Sequence, residues 1–431
     1  MSVLPKEVAY EPLVSLPNGT NALSVVVSPA NVQDVEAGGD VVHFDIPSRG
    51  FLVPESLYIS FKMTAKNAVD GTAGTIRGAA AYAPWARVET LIGGQQVETM
   101  TSYNQLTNML INTKMSVAAK VGMGYSLGIG NRTGNAPAFN DQDGFGGMAA
   151  TGLAEQSFDF AAPLGCILSN ASKLVPLGMM PSVRISLTTD ALSNFTSGID
   201  ATGGGFKLSN LQLCMDIVDF GAATDEAIKS LADEEGNVNI RSQSFVSATQ
   251  NLPAAQGQTE LVYNQRLSSI KTIVAIVEGA NQNTNGKFDA IDPTRGEGDV
   301  QFLIASEQYP PRPLSMSQNS GRVYQELADA WSPTHSLYNT HMAIVGDQFG
   351  ATDETATTYD DQAKNYFAVN TERLSTNGNL LTGVSSMLSP LSLRINKGSA
   401  GSASPHATTL ICCYDAILSC NLLTRQASVK Q

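Results

Sequence analysis

The residues best suited to chemistry in this chain of 431 are four histidines, five cysteines and several acidic pairs. Zinc needs closely spaced Cys and His ligands, but His43, His335, His341 and His406 are scattered. His335 and His341 stand six apart with no Glu in a His-Glu-x-x-His arrangement, and read as loop or edge-strand histidines. Cys166, Cys214, Cys412, Cys413 and Cys420 are an odd set without metal-type spacing, as expected of reduced, buried small hydrophobes. Cys412 and Cys413 on one strand face opposite sides of a sheet, so the pair cannot chelate one ion.

Asn140-Asp-Gln-Asp-Gly144 has the start of a calcium loop, yet Phe145 stands where a third oxygen ligand belongs. Ala149 to Leu153 supply no bidentate Glu, and a polar turn is the better account. Gly122-x-Gly124-x-x-x-Gly128 has the wrong spacing for a dinucleotide fingerprint and lacks the Lys-Ser/Thr of a phosphate cradle. It reads as a flexible or contact-making loop. Asp353-Glu354 and Asp360-Asp361 are adjacent pairs in a hydrophilic loop, not carboxylates facing across a cleft, and nothing forces ion binding by the acids of 347–361. No catalytic, cofactor-binding or metal-ligating residue is therefore assigned, and no cofactor is expected.

Composition narrows the class further. Hydrophobic residues make up 42%, enough for a large core, while only 15% are charged. A surface poor in charge suits a protein covered by neighbours. The net charge of −13 and the lack of any Lys or Arg run argue against direct nucleic-acid binding. Met1-Ser-Val-Leu-Pro-Lys-Glu has no basic segment followed by an apolar stretch, so no secretory signal is expected, and the sequons at Asn18, Asn131, Asn170 and Asn194 read as chance. The longest apolar strip, Ile270–Val277, is far shorter than the ~18 residues of a spanning helix.

The elements that would position these residues are mostly strands. Leu23–Val27, Val41–Ile46, Leu57–Met63, Val88–Ile92, Val183–Leu187, Leu208–Val218, Ser269–Val277, Phe302–Ile304, His341–Val345, Leu391–Ile395 and Thr408–Leu418 are short and rich in Val, Ile, Leu and aromatics. In Leu57–Met63, residues 57, 59, 61 and 63 point one way and Tyr58, Ser60 and Lys62 the other, the pattern of a half-buried antiparallel strand. One helix is predicted at mid-chain: Thr224 caps it, Asp225 and Glu226 open it, Ile228, Leu231 and Ala232 form its stripe, and Gly236 ends it.

The two halves read as copies. Tyr103-x-x-Leu106-x-x-Met109, Arg184-Ile185 and Asp216-Ile217 recur in order as Tyr324-x-x-Leu327-x-x-Ala330, Arg394-Ile395 and Asp415-Ala416-Ile417. Residues 121–152, with nine glycines, and residues 346–383 resist strand assignment and fall at equivalent places.

Four segments carry a family resemblance. Ala83–Val97 followed by Tyr103 is similar to a strand, two-residue turn and following helix, with Gly93-Gly94 at the turn. Leu174–Leu187 resembles a Pro-containing strand late in a barrel. Phe206–Phe220 with Asp225-Glu226 resembles a last strand and an acidic linking helix, and Gly257–Val277 the opening strands of a second barrel. The family is the double jelly-roll major capsid proteins of icosahedral viruses: virophages, polinton-like viruses, nucleocytoplasmic large DNA viruses, adenoviruses and tailless membrane phages.

The resemblance implies an all-β fold of two consecutive eight-stranded jelly rolls: 1–222 with an N-terminal arm, a linker helix at 223–240, and 241–431. It also implies a homotrimer that tiles a shell as a pseudo-hexameric block, with 121–152 and 346–383 as outward towers or inter-subunit clasps. The implied partners are further copies of itself and penton or minor capsid proteins, with no direct nucleic acid and no indicated inner membrane. The implied location is the virion, after synthesis in the reducing interior of a host cell. Two other classes stay open on the residues alone. One is a β-sandwich adhesin or carbohydrate-binding surface protein; the other is a jelly-roll enzyme of the cupin or glycoside-hydrolase kind.

Overall fold

The computed structural model describes residues 20–36, 38–66, 74–133, 136–138, 145–148, 155–197, 205–221, 226, 228, 230, 236–279, 288, 290–294, 297–305, 307–331, 342–344, 364–372, 382–398, 405–422 and 424–430. The first lobe is built on β1 (Asn21–Val27), β2 (Val41–Ile46), β3 (Tyr58–Lys66), β4 (Trp85–Ile92) and β5 (Gln95–Thr101). Helices α1 (Tyr103–Lys114) and α2 (Val117–Leu127) follow, then β6 (Glu155–Pro163), β7 (Val183–Thr189) and β8 (Gly205–Asp219). These strands pair antiparallel in two sheets, ordered β1-β8-β3-β6 and β2-β7-β4-β5.

The second lobe repeats the plan with β9 (Asn237–Leu252), β10 (Gln258–Tyr263), β11 (Ile270–Val277), β12 (Asp299–Ile304) and β13 (Glu307–Leu314). Helix α3 (Met316–Asp329) follows, then β14 (Phe367–Asn370), β15 (Leu391–Asn396) and β16 (His406–Asn421). Its sheets run β9-β16-β11-β14 and β10-β15-β12-β13, again antiparallel. Each of the eight labelled strands of one lobe has its counterpart eight numbers on in the other. Two consecutive jelly-roll sandwiches, as the resemblance implied, are the fold.

Side-chain alternation explains how the layers close. Leu57, Ile59, Phe61 and Met63 are buried, whereas Tyr58 is exposed. Phe61 on β3 meets Trp85 on β4 edge-on, at 5.7 Å and 88°, which locks one sheet of the first sandwich onto the other. In the second lobe, the Tyr263 hydroxyl on β10 donates to the Thr408 carbonyl on β16 at 3.2 Å, across the same kind of gap. Proline marks the rim: β13 carries Pro310, Pro311 and Pro313 and lies at a sheet edge, where missing backbone donors cost nothing.

Three expectations need correction. Residues 121–152 do not form one loop: Val117–Leu127 is helical, and Gly130–Thr133, Ala136–Ala138 and Phe145–Met148 join a small sheet with Gly74–Ile76 and Thr196–Ser197. Ser116 caps α2 by accepting from the Ala119 amide, and Gly128 ends it in a left-handed turn at φ 67°. His341–Val345 is no strand over its described part. Met342, Ala343 and Ile344 are buried, and the Ala343 amide donates to the Asn112 carbonyl near the end of α1, not to a sheet neighbour. Finally, β9 opens at Asn237, inside the expected 223–240 linker. Within that linker Glu226, Ile228 and Ser230 are helical, while Thr224, Asp225, Leu231 and Ala232 lie outside the described residues.

A Cβ at Gly128 would stand 2.5 Å from the Phe160 ring and 2.6 Å from Ala80, at a positive φ. Gly128→Ala is expected to destabilise the first lobe by about 2–3 kcal/mol, read from the midpoint of chemical denaturation.

Candidate assembly faces and the inter-lobe seam

The histidines are structural where described. His43 on β2 shares a hydrogen bond of 2.8 Å with Ser186 on β7, and buried His406 meets the Glu278 carbonyl at 3.0 Å. His335, His341, the 140–144 turn and the acids at 353–354 and 360–361 lie outside the described residues. All five cysteines are buried and unbridged. Burial pushes the Cys166 thiol up to about 12 and Cys413 up to about 11, so both stay protonated and unreactive. Cys412 faces Tyr263 inside the second sandwich, whereas Cys413 faces Lys114 and Lys271 on the other side of β16.

One pattern needed its structural context to be judged. Gly124-Tyr-Ser-Leu-Gly128 has the Gly-x-Ser-x-Gly spacing of a hydrolase elbow. That elbow requires a strand-to-helix turn, but Ser126 lies within α2 and its hydroxyl donates to the Met123 carbonyl at 3.1 Å. A cavity of about 540 Å³ is polar and lined by Gln95, Asn237, Asn421 and Gln426, with Arg425 its one charged residue. It brings no acid and base together. Among the described residues, no three His, Cys, Asp or Glu side chains group to hold a metal ion.

The chemistry concentrates instead between the lobes. The free edge of β9 would leave backbone carbonyls unpaired, and the first lobe covers it. The Ser172 amide donates to the Arg241 carbonyl at 2.8 Å, and the Asn170 side chain to the Gln243 carbonyl at 3.1 Å. Ser242 returns a hydroxyl to the Ile167 carbonyl at 2.6 Å, and Thr101 and Ser247 exchange hydrogen bonds at the far end.

At the centre of the seam Glu98 of β5 is buried. Its carboxyl accepts from Ser244 of β9, from Thr90 at 2.9 Å and from the Ile167 amide at 2.9 Å. Farther along, α1 lays its exposed-by-default side on the second lobe. Gln105 donates to Glu278 at 3.2 Å, Asn112 to the Tyr366 hydroxyl at 3.4 Å, and the Lys114 ammonium sits 4.9 Å over the Trp331 ring.

The last strands show what burial by the other lobe does. Asp216 on β8 and Asp415 on β16 are counterparts in register. Asp216 is exposed and accepts from Ser24 at 2.5 Å. Asp415 is buried and takes Arg241 at 2.9 Å and Ser269 at 3.0 Å, because a charge withdrawn from water needs several donors.

Two closed sandwiches in tandem, joined along a polar seam, define a double jelly roll. Solved structures of this class match the chain nearly end to end. The Faustovirus major capsid protein is similar over 96% of this chain and 92% of its own, at 10% identity and a TM-score of 0.63. The PBCV-1 virus capsid matches over 98% and 99%, at 11% identity and 0.60. The mavirus major capsid protein matches over 100% and 93%, at 9% identity and 0.56. No protein-family model matches the chain, and neither does any curated protein.

Burial holds the Glu98 carboxyl above its ordinary 4.5, against the pull of its three donors, with the Ser244 hydroxyl the strongest. A raised folded value means the folded chain holds the proton longer, so this contribution is full below 4.5 and is lost as pH rises through the folded value. Glu98→Gln is expected to flatten that part of the pH–stability curve. Glu98→Ala strands three donors and should cost about 2–3 kcal/mol at all pH values, both read by thermal melts from pH 4 to 9.

Proposed function

We propose that this chain is a non-enzymatic major capsid protein, which trimerises into pseudo-hexameric blocks that tile an icosahedral shell. The observation that carries the reading is the end-to-end match of both lobes and their linkage to viral capsid proteins, with 92–99% of those chains covered. An adhesin or a jelly-roll enzyme would need only one sandwich, and the pairing of two in one chain is what a shell tile uses. Two sandwiches side by side give each subunit two of the six lobes in a hexagonal footprint.

Under this reading the chain divides into a first jelly roll (1–222), a short linker that ends where β9 opens at Asn237, and a second jelly roll from there on. Its partners are other copies of itself and penton or minor capsid proteins, and it resides in the virion. Buried, unbridged cysteines suit synthesis in a reducing host interior. The low charge of the chain, 15%, suits a surface that neighbours cover.

Light scattering on the purified protein is expected to give about three times 45.5 kDa, unchanged on dilution. Electron microscopy should show hexagonal blocks. A monomer at all concentrations overturns the reading.

A further inference from the structure

Beside the polar seam lies a cavity of a different kind. It measures about 260 Å³ and sits where α1 meets Phe245 of β9, between the lobes. Met100, Leu106, Leu110, Met115, Pro163 and Phe245 supply most of its wall. The polar side chains that border it, Lys114 apart, are already committed. The Tyr82 hydroxyl donates to the Pro163 carbonyl at 2.7 Å, and the Tyr103 hydroxyl accepts from the Gly165 amide at 3.0 Å. Thr107 turns its hydroxyl to the Tyr103 and Asn104 carbonyls, at 2.9 and 3.0 Å. A water inside finds few partners, and a cavity lined this way stays dry or takes an apolar guest.

One charge breaks the pattern. Lys114, the only ionic residue of the described wall, is exposed and stands at the rim with half-buried Leu110 and Met115. Its ammonium lies over the Trp331 ring and makes no ion pair among the described residues. Trp331 in turn packs on Phe245, with ring centroids 6.4 Å apart. Glu372, whose charge bears on the Cys413 thiol as that of Lys114 does, is held by Lys271 at 3.4 Å. In a chain of net charge −13, an exposed lysine without a carboxylate partner points to a partner from outside.

We propose that this cavity binds a free straight-chain carboxylate, with its tail among Leu106, Met115 and Phe245 and its head on Lys114. A methylene takes about the room of a water, ~30 Å³, so the cavity suits a tail of about eight carbons. Met100 and Met115 give the wall soft, adaptable sides for a flexible tail. The tail touches α1 of one lobe and β9 of the other, so the bound carboxylate ties the lobes together and favours the folded chain. The site does not depend on the capsid reading.

The test is calorimetric titration of the purified protein with sodium octanoate, octan-1-ol, octylammonium chloride and sodium butanoate. Octanoate is expected to bind at least tenfold tighter than butanoate, because four methylenes leave the apolar wall. It is also expected to bind at least threefold tighter than octylammonium, whose charge Lys114 repels. Lys114→Glu should reverse the order of octanoate and octylammonium while leaving octan-1-ol within twofold of the wild type. Leu110→Trp, which fills the mouth, should weaken octanoate and octan-1-ol alike, at least tenfold. Unliganded thermal melts report the fold of each variant, and Met115→Trp is read in place of a Leu110→Trp that fails to fold. A wild type that binds no octanoate at about 1 mM overturns the site and leaves the capsid reading standing. Octanoate binding that survives the filled mouth, or octylammonium binding as tightly as octanoate, overturns it too.

Discussion

An open sheet edge presents a row of unpaired backbone groups, and the structure depends on how the edge of β9 is closed. A second sandwich laid beside the first by apolar contact alone would leave the Arg241 and Gln243 carbonyls dry and unpartnered, at a cost of about 1–3 kcal/mol each. The first lobe meets them with donors, the Ser172 amide on Arg241 and the Asn170 side chain on Gln243, and the Thr101 hydroxyl reaches the Ser247 carbonyl farther along. That is why the seam is rich in Ser, Thr and Asn, and why a glutamate sits at its centre. Hydrogen bonds are directional, so a seam made of them fixes one relative placement of the lobes where an oily contact would tolerate several.

Duplicated strands then diverge according to what covers them. β3 alternates, with Tyr58, Ser60 and Lys62 turned to one side, whereas its counterpart β11 is buried from Thr272 to Val277 and reads Thr-Ile-Val-Ala-Ile-Val. The equivalent position in the equivalent sheet holds an exposed aspartate, Asp216, in one lobe and a buried one, Asp415, paired with half-buried Arg241, in the other. Backbone topology was kept, and side chains followed the dielectric.

How much of this was legible before the structure follows from the same physics. Strands with a sandwich face on one side show period-two alternation, and Val41–Ile46 was read to the residue. The order of the Tyr, Arg and Asp motifs also placed the repeat correctly, since those motifs lie on α1, β7 and β8 and on α3, β15 and β16. Strands β5, β6, β9, β13 and β14 carried no such signal. β5 reads Gln-Gln-Val-Glu-Thr-Met-Thr because its outer residues bond across the seam, and β13 holds three prolines, which mimic a loop. Helix α2 has glycines at 122 and 124 and no apolar stripe, so its cap at Ser116 was the only cue. The seam itself was illegible. Glu98 and Ser244 lie 146 positions apart, and nothing in a polar residue type announces that a partner so distant will bury it.

A repeated unit joined by a heterologous contact has a geometric consequence that neither lobe has alone. If the contact relates lobe one to lobe two by some rotation, and a second copy uses the same contact, that rotation is applied again at each step. The aggregate then closes or runs on as a filament, and the choice depends on how firmly the step is held. Here the step within the chain is held by the buried Glu98 cluster, by the capped carbonyls of β9 and by α1 clamped against Trp331. Such a joint cannot flex gradually, because each hydrogen bond breaks outright when its angle falls away. If copies of the chain assemble as proposed, a stiff step inside each one leaves the steps between chains as the adjustable ones. A closed block of few copies is the arrangement in which all of them settle alike.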